Sequence, residues 1–135
     1  MSLYYRDLLK CRFAWRGRGP ELFDCWGICM EMGGRAGKSL PDFQYSADPK
    51  KEELDSLIKA SEGLFREIER PEPFCLATAI IKPPFVTHTM FVLDDARRFI
   101  HIPLDGRPLV ERIAAWRRGM GARIAGFYRI GEDTV

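Results

Sequence analysis

The chain changes character across Pro71 and Pro73, and that change restricts what it can fold into. Upstream, Leu54, Leu57, Ile58, Leu64, Phe65 and Ile68 recur near every 3.6 residues, keeping to one face of a helix that Asp48-Pro49 opens. Downstream, Phe74 to Ile81 and Phe85 to Leu93 read as strands separated by Pro83-Pro84. Asp94-Asp95 reads as a hairpin turn and Arg97 to Ile102 as the returning strand. Pro108 to Arg118 reads as a further helix ending at Gly119, and Arg123 to Ile130 as a last strand. This order, without repeats or low-complexity segments, predicts an α+β fold. With 135 residues and 46% hydrophobic content, one domain spanning residues 1–135 is expected.

The first third ends in a local signal for a helix start. A basic glycine turn, Arg16-Gly17-Arg18-Gly19-Pro20, runs through Phe23 into Asp24, a natural N-cap, and an apolar helical stretch follows to Gly33-Gly34. Cys25 is then the first helical residue. Free backbone N–H groups and the positive end of the helix dipole favour a thiolate there, and a thiolate attacks carbonyls at neutral pH. Taken alone, a cysteine such as Cys25 is a small buried hydrophobe more often than a nucleophile, and Cys11 and Cys75 read as small core residues. Residues 35 to 47 read as an exposed connection.

The chain has only two histidines, His88 and His101. If Asp94 and Asp95 are the two loop residues, Leu93 pairs with Ala96 and His88 lies directly across from His101; a two-residue change of register leaves them diagonal neighbours on the same face. Cys25 and Cys29, four apart on one helix, together with the two histidines also supply the ligand types of a four-coordinate zinc site, although Cys-x3-Cys and His-x12-His match no compact zinc motif.

The run Phe13-Ala14-Trp15-Arg16-Gly17-Arg18-Gly19-Pro20-Glu21-Leu22-Phe23-Asp24-Cys25-Trp26-Gly27 resembles the nucleophile motif of the NlpC-type family of cell-wall cysteine peptidases, in particular short forms associated with phage tails. Thr87-His88-Thr89-Met90-Phe91-Val92 resembles that family's catalytic-histidine strand, Phe99-Ile100-His101 the strand with its third polar residue, and Ile124 to Arg129 the close of tail-associated members. The resemblance implies a papain-like fold whose nucleophile helix packs on a small antiparallel sheet. It further implies Cys25 as nucleophile, His88 as acid and base, His101 as orienter, and peptidoglycan stem peptides as substrate, classically cut between D-glutamate and a diamino acid. No cofactor is implied. Arg16 and Arg18 would suit the stem carboxylates, and Trp15 and Trp26 would flank the cleft. Two departures stand out. Phe13 falls where many members carry a tyrosine that helps hold the oxyanion, and Trp26 replaces a common small serine.

A net charge of +2 points to no particular partner, and no nucleic-acid fingerprint appears. No stretch has the apolar length of a membrane helix, and Met1 to Asp7 does not read as a secretory signal. Synthesis in the cytoplasm, with free thiols and assembly into a phage tail, is the expectation. The alternative function is a papain-like tail component with a weakened active site, and the features favouring it are Phe13 and Trp26.

Overall fold

The structure, a computed structural model, describes residues 3–118 and 122–131. After a 3-10 turn at Arg6–Lys10, the short strands β1 (Arg12–Phe13) and β2 (Leu22–Phe23) pair in parallel around the basic glycine turn. Helix α1 (Cys25–Arg35) follows, then α2 (Lys51–Glu62), β3 (Arg66–Ile68), β4 (Leu76–Ile80), β5 (Val86–Val92), β6 (Arg98–His101), β7 (Leu109–Arg112), α3 (Ile113–Arg118) and β8 (Arg123–Arg129). Strands β3 to β8 form one antiparallel sheet in the order β3-β8-β4-β5-β6-β7. The molecule is thus mixed α+β, with α1 laid against an antiparallel sheet as expected.

Strand alternation gives the sheet two dry faces. On one, Leu76, Phe91, Ile100 and Tyr128 pack under Ile28, Cys29 and Met32 of α1. On the other, Ala77, Met90, Val92 and Phe99 pack under Ile113 and Trp116 of α3. The middle strands are therefore buried along both faces.

Three boundaries differ from the expectation. The helix expected to run through Ile68 stops at Glu62, before Gly63, and residues 66–68 instead pair with the open edge of β8. The helix expected from Pro108 starts only at Ile113, because Leu109–Arg112 satisfies its backbone against β6. Its expected end, Gly119, lies outside the described residues. The hairpin loop holds four residues, not two: Val92 pairs with Phe99, and the Leu93 amide donates to the Arg98 carbonyl. No helix among the described residues is long and apolar enough to cross a membrane.

Candidate functional site

Helix α1 begins at Cys25, with Asp24 as its N-cap, as the local sequence predicts. Asp24 is fully buried. One carboxylate oxygen accepts from the Gly27 amide at 2.8 Å and from Arg18 Nη1 at 2.9 Å. The other accepts from the Arg16 amide at 2.8 Å and from the Tyr45 hydroxyl. Arg18 also donates to Asp42 at 3.0 Å and to the Tyr45 oxygen at 2.8 Å. The expected stem-peptide ligand Arg18 is thus committed to binding the glycine turn to the 35–47 connection. Arg16 is exposed, and its side chain has no such ties among the described residues. Gly27 lets the turn come this close, since a Cβ on it would lie 2.1 Å from the Gly17 carbonyl oxygen.

The Cys25 thiol is buried against β5. Burial, then the neighbouring Asp24 carboxylate, push it above the usual thiol range, against hydrogen bonds from the Thr89 hydroxyl and backbone. One turn on, Cys29 Sγ lies 3.6 Å from the same Thr89 hydroxyl, and burial raises that thiol too. A narrow apolar cavity walled by Trp15, Trp26, Phe43 and Ile58 ends at Cys25 and Thr89. Trp26 is mostly core: it is buried, and its indole N–H donates to the Pro41 carbonyl at 2.9 Å. The helix dipole expected to hold Cys25 as a thiolate is therefore outweighed by desolvation and a carboxylate one residue away.

The two histidines do stand together. His88 Nε2 is 2.7 Å from His101 Nδ1, and His101 Nε2 is 2.5 Å from Glu111 Oε2, which also accepts from the Trp116 indole at 3.2 Å. The four-residue loop makes them diagonal neighbours on one face, the second of the two registers the sequence allows. Burial holds both imidazoles below the ordinary histidine range, His88 at about 3 with some help from His101, and His101 less far because Glu111 opposes the shift.

That face is the wrong one for Cys25. Thr89 touches the thiols of α1, and the next side chain back, His88, points through the sheet to lie parallel to the Trp116 ring of α3. Among the described residues, neither imidazole hydrogen-bonds to Cys25. The expected Cys25–His88 pair is not formed, and His101 orients an imidazole with no thiol beside it. The same separation divides the four ligands expected of a zinc site, and no metal-ligand cluster of three or more occurs among the described residues. Phe13 stacks edge-on against Trp15.

Three residues that shape these clusters escaped the sequence reading. Tyr45 lies in a stretch with no periodicity, and Glu111 in one that reads as helix. Thr89 alternates with Phe91, which puts it on the face opposite His88, but nothing local says which of the two faces meets α1.

No protein-family model matches the chain, and no curated protein matches it.

Proposed function

We propose that this chain is a papain-like domain of the NlpC type that works as a structural or assembly component of a phage tail and does not hydrolyse peptidoglycan. One observation carries the reading: the residue of β5 that faces Cys25 is Thr89, which cannot take the thiol proton as an imidazole would. The burial that raises the Cys25 thiol and the commitment of Arg18 to Asp24 agree with it. The tail assignment rests on the resemblance of residues 13–27 and 124–129 to tail-associated members.

Iodoacetamide labelling of the folded protein at pH 6, mapped by mass spectrometry, tests this reading. Cys25 should label no faster than an ordinary thiol, which is almost wholly protonated at that pH with a reference pKa of about 8.5. Muropeptides should stay intact, and the protein should co-purify with tail proteins. The competing reading, a thiol hydrolase cutting stem peptides, draws on Cys25 at the capped start of α1. Fast labelling confined to Cys25, lost in His88→Ala and accompanied by muropeptide cleavage, would establish that hydrolase and overturn the structural role.

A further inference from the structure

Strands β5, β6 and β7 and helix α3 meet at one polar chain, its two imidazoles buried and Glu111 about a third exposed at its outer end, and its hydrogens can be assigned. The Glu111 carboxylate only accepts, so His101 Nε2 carries a hydrogen. A neutral His101 then has a bare Nδ1, and the hydrogen in the 2.7 Å contact belongs to His88 Nε2. That leaves the lone pair on His88 Nδ1. One extra proton fits: taken up at His88 Nδ1, with the Nε2 hydrogen passing to His101 Nδ1, it makes His101 the cation beside Glu111 and keeps the ring-to-ring bond with its direction reversed. A second does not fit, because all four ring nitrogens would carry hydrogens and two N–H groups would face one another at that contact.

The surroundings offer such a charge little relief. Cys75, just ahead of β4, lies on this face with Ala77 and Ala79 of β4, Phe99 of β6, Ile124 and Phe127 of β8, and Trp116 of α3. Glu111 of β7 is the carboxylate that contacts the pair. Arg98 and Arg112 belong to the other alternation of β6 and β7, and Glu67, Glu69 and Arg123 line a groove outside Trp116.

We propose that Glu111, His101 and His88 form an acid-operated latch, which pins β7 and α3 to the sheet until a second proton releases them and uncovers the apolar face beneath Trp116. The driving force is burial: once released, the rings take up protons near pH 6.5, which the closed chain resists.

Hydrogen exchange of residues 109–116, read by mass spectrometry and corrected for the intrinsic pH dependence, tests the latch on the intact protein. Between pH 7.5 and 5, opening of this segment should rise about thirtyfold, the factor for one histidine of ordinary pKa that is refused its proton when closed. At pH 5 it should exchange at least roughly tenfold faster than α1 if it opens below the global unfolding limit. His88→Gln, which keeps an N–H donor near Nε2 but cannot titrate, should abolish the rise while preserving protection at pH 7.5. An unchanged rate, a rise that persists in His88→Gln, or exchange of 109–116 in step with α1 would each overturn the latch. If His88→Gln does not fold, nitrogen NMR of the wild-type imidazoles decides. Hydrogens on both Nε2 atoms at pH 7.5, with His101 charging before His88, are expected, and the opposite tautomers would overturn the assignment.

Discussion

Asp24 has no exposed surface, yet it accepts four hydrogen bonds, from Gly27, Arg18, Arg16 and Tyr45. A carboxylate so placed does more than cap α1. It joins the helix start, the glycine turn and residue 45 of a segment with no regular structure. Asp24→Ala removes the cap, worth about 1 kcal/mol, and strands buried donors at about 1 to 3 kcal/mol more, so a loss of about 2 to 4 kcal/mol is expected in urea unfolding. Tyr45→Phe removes one neutral donor and should cost about 1 kcal/mol. A loss under about 1 kcal/mol for Asp24→Ala would mean that water replaces these contacts. The same carboxylate helps to raise the Cys25 thiol, so the residue that makes the helix start legible in the sequence also opposes the chemistry expected of that start.

At the scale of elements, what the sequence revealed was local and what it concealed was not. The start of α1 follows from a cap and a glycine turn within a few residues of each other. The β5–β6 hairpin follows from its turn, to within two residues of register. The end of α2 and the existence of β7 depend instead on the open edges of β8 and β6, which no local window contains. The face on which the histidines stand was hidden for a related reason: Met90, Phe91, Val92 and Leu93 are all buried, so alternation separates His88 from Thr89 without saying which of them meets α1. Helix α1 itself offers a paired test of local propensity against packing. Gly34 has nothing within 4 Å of a would-be Cβ, and Gly34→Ala should stabilise the protein by about 0.5 to 1 kcal/mol through helix propensity. Gly27→Ala has the same propensity gain, yet its methyl would lie 2.1 Å from the Gly17 carbonyl oxygen, and the turn must move away. It should destabilise by about 1 to 3 kcal/mol, and equal urea midpoints for the two variants would show that the turn yields freely.

Across the whole molecule, groups buried in their neutral forms bound the stable pH range from both sides. His88 and His101 have folded pKa values below their unfolded value, so their contribution is complete above about pH 6.5 and is lost as the pH falls, when the unfolded chain binds protons that the fold refuses. Each can remove up to about 1.4 kcal/mol per pH unit. On the alkaline side the signs reverse. Cys11, Cys25, Cys29 and Cys75 are buried and their thiols raised, Cys75 to about 11, so above about pH 8.5 the unfolded chain releases protons that the folded one keeps. Stability should therefore plateau between about pH 6.5 and 8.5 and fall on both flanks, more steeply at high pH because four thiols act there against two imidazoles. Urea denaturation at pH 5, 7.5 and 10 under reducing conditions measures this. Cys25→Ser isolates the thiol that matters most: if Cys25 were a thiolate in the fold, its contribution would grow with pH, and the variant would lose the most stability at pH 10. A protonated, desolvated Cys25 predicts the reverse, with the variant's alkaline flank shallower than the wild type's, and the sign of that difference reports the ionisation state of the thiol without any substrate.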